Sequence, residues 1–235
     1  TVDKPQYLFY GNFQGGGKNH IVEAKTADAG LLPTRGRSCS SNAMPFIATK
    51  FETYHGFASA SLSEIYGDNL QQAHRVAVTE SRTGVLENTV DESGNRRLVF
   101  RPLPMQAQVA PVFGIAVLDL NGDVYPDLFL AQNFFTPQRE TGRMSGGLGC
   151  LLLNQTEVVF RTVDAKKSGI VVPEDAKSAV SCDLNNDGRV ELAITTNDGP
   201  IRTYSLVRRR VSGSFSNGES YLGSGYLSSV TFEDN

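Results

Sequence analysis

A chain of 235 residues with 40% hydrophobic and 20% charged residues can bury a substantial core, as one large domain or as two smaller ones. Its net charge of −3 and its single short basic run, Arg208-Arg209-Arg210, give no reason to expect nucleic acid as a partner. No apolar stretch approaches the roughly 18 residues that a membrane span needs, and the first residues lack the basic-then-apolar form of a signal peptide.

In chain order, short apolar runs separated by Gly, Asn, Asp and Pro clusters predict strands and turns. Strands are expected over 7–13 and 20–25. Residues 43–73 break this pattern: Phe46, Ile47, Phe51, Tyr54, Phe57, Ala58, Leu62 and Ile65 fall at helical spacings, and Ser61 stands three residues before Glu64 in the form of a capping box. Two short helices are expected there, inserted into a β framework, with the aromatic stripe as a packing face. Further strands are expected over 75–80, 83–89, 96–102, 113–118, 127–132, 148–154, 157–163, 177–182, 190–196, 200–207 and 220–227. Many short strands with turn-rich joints make an all-β protein: a sandwich, a barrel or a propeller.

Internal repeats narrow that choice. VLDLNGDVYPDLFLAQN (117–133) and SCDLNNDGRVELAITTN (181–197) align without gaps at an offset of 64 residues, apolar against apolar and acid against acid. A decayed copy is YGNFQGGGKNHIVEA (10–24), whose larger offset leaves room for the helical insertion. A repeat of this length fits a four-stranded propeller blade with long loops. The strands then group into about three blades, 7–102 with the insertion, 113–163 and 177–227. Propellers usually have more, so further blades, another chain or self-association is expected to complete the ring.

The repeats place oxygen-bearing residues at alternate positions of a tight turn. They are Asp119, Asn121, Asp123 and Asp127 in one loop, with Tyr125 offering its carbonyl, and Asp183, Asn185, Asp187 and Glu191 in the other, with Arg189 offering its carbonyl. Calcium takes six to eight oxygens, so five protein groups and water suffice, and three carboxylates without a cation would repel one another. An EF-hand needs a bidentate Glu at the twelfth position and a following helix, whereas here that position holds Leu130 or Ile194 within a β-like run. The plain alternative is a pair of Asp/Asn-rich β-turns without metal. The first copy has Asn12, Gln14, Gly16, Lys18 and His20 at these positions and is expected to keep the turn and bind no calcium. Val124 stands where the other loop has Gly188, a position that often needs a positive φ, so poorer geometry is expected in loop 119–127.

These loops, with Phe113-Gly114 ahead of DLNGDVYPDL, resemble the FG-GAP/VCBS repeats of integrin α-subunit propellers and bacterial surface proteins. Val124 for glycine and Glu191 for aspartate are departures. RGRSCSSNAMPF (35–46), the FF-x-PQ-x-ETGRM-x-GGLG stretch (134–149) and GSGYLSS (223–229) look like bacterial FG-GAP proteins of the ASPIC/UnbV, cartilage acidic protein-like group. The resemblance implies propeller blades over 1–207 and a terminal β segment at 208–235. It also implies two structural calcium sites and an extracellular, envelope or periplasmic setting.

No enzyme signature stands out. His20, His55 and His74 are scattered, and Gly15-Gly16-Gly17-Lys18 lacks the spacing and following hydroxyl of a phosphate loop. The expected function is a calcium-binding module for protein or glycan ligands, with a structural subunit of a surface assembly and a calcium-dependent lyase or hydrolase as alternatives. Cys39, Cys150 and Cys182 form neither a metal spacing nor a disulfide framework, and Cys150 and Cys182 are expected as buried free thiols. Asn154-Gln155-Thr156 has the form of a glycosylation sequon.

Overall fold

The computed structural model describes residues 3–28, 30–121, 123–138, 140–156, 158–188, 190–208 and 225–230. Among these, three four-stranded antiparallel sheets and one two-stranded sheet carry the structure, and no sheet closes into a barrel. The chain divides into two compact units, Thr1–Ser81 and Arg82–Asn235.

The first unit contains β1 (Gln6–Gly11), β2 (His20–Ala27), β3 (Gly30–Pro33) and β4 (His74–Val78) in the spatial order β3-β2-β1-β4. Five short helices precede β4: α1 (Arg37–Ala43), α2 (Phe46–Lys50), α3 (Tyr54–Ser59), α4 (Leu62–Tyr66) and α5 (Asn69–Gln72). Phe9, Val22 and Ala24 of the sheet pack against Met44, Ile47, Phe57, Leu62, Ile65 and Tyr66, so the aromatic stripe is a packing face. The capping box forms as expected, with Ser61 Oγ accepting from Glu64 N and the Glu64 carboxylate accepting from Ser61 N. Within 43–73 the expected two helices are four, α2 to α5, because extended backbone at Phe51 and Ala60 and a turn at Gly67 end each short run; α1 ends where that span begins. Each turn returns the next apolar residues to the sheet. β3 was not expected; four residues ending in a proline carry no alternating pattern.

The second unit opens with a hairpin of β5 (Gly84–Val90) and β6 (Arg96–Pro102), which form their own sheet instead of joining the first repeat as expected. β7 (Val112–Leu118), β8 (Asp127–Gln132), β9 (Cys150–Asn154) and β10 (Phe160–Val163) follow as a meander in chain order, then α6 (Ala165–Ser168). A second meander holds β11 (Ala176–Cys182), β12 (Glu191–Thr196), β13 (Arg202–Arg208) and β14 (Gly225–Val230). The expected terminal segment therefore contributes β14 to this sheet. Arg209, Arg210, Gly223 and Ser224, and position 157 of an expected strand, lie outside the described residues.

The two meanders meet along their first strands. A Cβ at Gly114 would stand 2.6 Å from Ser178 Cα, so only glycine allows β7 and β11 to approach this closely. Ser181 Oγ donates to the Val117 carbonyl at 3.0 Å, and Lys177 Nζ lies 3.8 Å from the Phe113 ring centre. Phe129, Ala131, Leu151 and Leu153 face Ile170, Val172, Leu192, Ile194 and Tyr204 in one core. Leu130, Cys150 and Leu152 face the other way onto Leu103 and Ala107. β8 and β9 are covered on both faces, which is why LFLA and CLLL are continuous apolar runs.

Candidate metal centre

Each of the three related sequences forms a hairpin between adjacent antiparallel strands, β1–β2, β7–β8 and β11–β12. In loop 119–127, Asp119 Oδ1 accepts from Asp123 N at 3.2 Å and Oδ2 from Val124 N at 3.0 Å. Asn121 Oδ1 accepts from Asp123 N at 3.0 Å, and Asp123 Oδ1 from Tyr125 N at 2.9 Å. In loop 183–191, Asp183 Oδ1 accepts from Asp187 N at 3.1 Å and Oδ2 from Gly188 N at 2.9 Å, while Asn185 Oδ1 accepts from Asp187 N at 2.9 Å. The acid that opens the second strand closes the turn in both: Asp127 Oδ2 accepts from Leu120 N and Glu191 Oε2 from Leu184 N, each at 2.9 Å. Two loops of different sequence thus share one hydrogen-bonded frame.

Val124 adopts φ 74° and Gly188 φ 80°, so valine is held in the left-handed region that its counterpart enters freely. The expected difference in backbone geometry is therefore absent; the difference is strain, carried by a side chain that is 86% exposed. Asp127 is fully buried and its Oδ1 also accepts from Asn154 N at 2.9 Å, a contact that crosses to β9 and that repeat alignment does not reveal. Burial pushes the Asp127 carboxyl above the usual range; the hydrogen bonds from Asn154 and Leu120 oppose this, and the charges of Asp123 and Asp119 add to it.

Among the described residues, no group of three or more His, Cys, Asp or Glu side chains is arranged to hold a metal ion. The carboxylates of Asp119, Asp123, Asp127, Asp183 and Glu191 are turned to the loop amides instead. By donor type the loops do fit calcium: each brings three carboxylates and an asparagine oxygen, and Asp127 feels the other two acids of its loop. Each carboxylate keeps lone pairs beyond those its amides use. Tyr125 lies within its loop, and Arg189 lies outside the described residues.

In the first hairpin Asn12 Oδ1 accepts from Gln14 N and Gly15 N, keeping a turn without any acid, and the Gln14 and His20 side chains stand 2.7 Å apart. The three cysteines are free; Cys150 is buried, but Cys182 is exposed, because it sits at the end of β11 on the uncovered side. Asn154 is buried, which leaves its sequon without an accessible acceptor in the folded chain. No helix among the described residues is long and apolar enough to cross a membrane. A scan against protein-family models finds no match, and a comparison with curated proteins finds none either.

Proposed function

We propose that the chain is a calcium-stabilised module of β-propeller blades that binds protein or glycan ligands outside the cell or in the envelope. The observation that carries this reading is the common frame of loops 119–127 and 183–191, in which an opening acid, an asparagine and the closing acid accept from amides at the same steps. The two sequential four-stranded meanders, packed through their first strands, support a blade-like architecture. Calcium in this role rigidifies hairpins and performs no chemistry. The resemblance to FG-GAP/VCBS repeats supports the setting and the ligand class. A second reading, a subunit of a larger surface assembly, is favoured by Leu86, Val90 and Leu98, exposed apolar residues on the β5–β6 hairpin.

An ion held only by the folded chain stabilises it by mass action. Chelation is expected to lower the melting temperature of the native chain. Asp123→Ala and Asp187→Ala are each expected to remove one calcium per chain, read by isothermal titration. If neither substitution changes the stoichiometry, the loops are metal-free turns and the reading falls.

A further inference from the structure

At the end of the first meander of the second unit, where β8 finishes and β9 begins, the chain leaves a cleft of about 470 Å³. That volume is in the range of small-molecule sites. The glycine-rich segment 146–149 forms one wall, and Gln106, Gln132, Thr162 and Asp164 supply its polar groups. The wall is fixed in advance. Asn133 Nδ2 donates to the Gly147 carbonyl and Gly147 N donates to Asn133 Oδ1, both at 2.9 Å, and the same Nδ2 also donates to the Glu174 carbonyl at 2.9 Å.

Gln132 is the informative residue. It is 1% exposed, and its Nε2 donates to the Gln106 carbonyl at 3.0 Å. Among the described residues nothing donates to its Oε1, although the residue lines the cleft. That oxygen is not shut away from the cleft, so it is free to accept from whatever occupies it. The Gln106 carboxamide and the Thr162 hydroxyl make no bond within the described residues, and Asp164 uses one oxygen to accept from Lys166 N at 2.8 Å. The lining therefore mixes acceptors and donors. Asp164 is its only charged residue among those described, and it stands exposed, so neither an anion nor a cation finds strong electrostatic recognition. Val109 and Leu148, both partly exposed, offer apolar contact beside these groups.

We propose that this cleft binds an uncharged sugar unit. Its hydroxyls each donate and accept, which matches the mixed lining, and its C–H face matches Val109 and Leu148. The assignment rests on the binding-module reading but makes no use of the cation loops.

The test is a titration of the ¹⁵N-labelled full chain, in calcium, with glucose, galactose, mannose and N-acetylglucosamine, and separately with glucuronate and lysine amide. At least one neutral sugar is expected to shift the Gly146, Gly147 and Gly149 amides saturably at millimolar concentration. The double variant Gln106→Ala/Thr162→Val is expected to weaken this by about tenfold or more, and Gln106→Ala alone, at an exposed position, keeps the test valid should the double variant fold poorly. If no neutral sugar shifts these amides, or if glucuronate or lysine amide shifts them more strongly, the proposal is overturned. Calcium stoichiometry from the same samples separates the two readings: bound calcium without sugar shifts removes only the sugar site, and sugar shifts without bound calcium remove only the metal reading.

Discussion

Loops 119–127 and 183–191 solve one geometric problem with different residues. In the first, a fully buried aspartate ties two neighbouring strands by accepting from Leu120 N and Asn154 N, while an exposed valine bears a left-handed backbone. In the second, a longer glutamate accepts from Leu184 N, and glycine takes the left-handed position freely. The shared frame teaches that side-chain acceptors at the first, third and ninth positions set the turn. They override the backbone preference of Val124.

Removing the closing acids should break the comparison most strongly. Asp127→Ala leaves two backbone N–H groups without their acceptor and is expected to cost about 2–4 kcal/mol, whereas Glu191→Ala leaves one and is expected to cost about 1–3 kcal/mol. Urea unfolding of both variants measures the difference, and equal losses would show that the Asn154 contact contributes nothing. Exchanging the residues at the left-handed position comes next. Gly188→Val should destabilise by about 1–2 kcal/mol, and Val124→Gly should stabilise by about 0.5 kcal/mol, because relief of strain is partly offset by the entropy of an added glycine. A stabilising Gly188→Val would mean that the frame does not impose the positive φ.

The smallest effect is a chemical reading that leaves stability unchanged. Cys182 directly precedes loop 183–191 and is exposed, so its thiol should be alkylated readily in the folded chain. Burial pushes the Cys150 thiol up to about 11. Because the thiolate is the reactive form, Cys150 should stay unmodified in the folded chain until the pH approaches that value, and should react at ordinary alkaline pH once unfolded. Its raised value also fixes the sign of its pH linkage: the stabilisation it gives is present below the ordinary thiol pKa and is lost as pH rises through about 11. Mass spectrometry after alkylation across pH tests both thiols. Equal labelling of the two at neutral pH would contradict their difference in burial.

Much of this was legible in the sequence. Apolar runs bounded by turn residues located β8 and β9, since Leu128–Ala131 and Leu151–Leu153 are apolar throughout and packed on both faces. The positive φ of Val124 was legible only because Gly188 occupies the same repeat position. Pairing was not legible. Nothing in His74–Val78, exposed along its whole length, says that it joins β1, and nothing in Arg96–Pro102 separates it from the first repeat. The cleft was hidden for a related reason. Gln106, Gln132 and the Thr162–Asp164 pair are far apart in the chain, and only the packing of the turn at Gln106 against the ends of β8, β9 and β10 brings them together.

The order β3-β2-β1-β4 has a kinetic consequence. β1 and β2 are neighbours in sequence and can zip as a local hairpin on the microsecond scale. β4 meets β1 only after the chain has passed through five helices, so this pairing closes a long loop and carries its entropy. The second unit consists of a hairpin and two meanders whose strands pair in the order they are made. During refolding, the first unit is therefore the one that waits, with the edge of β1 open until its last strand arrives.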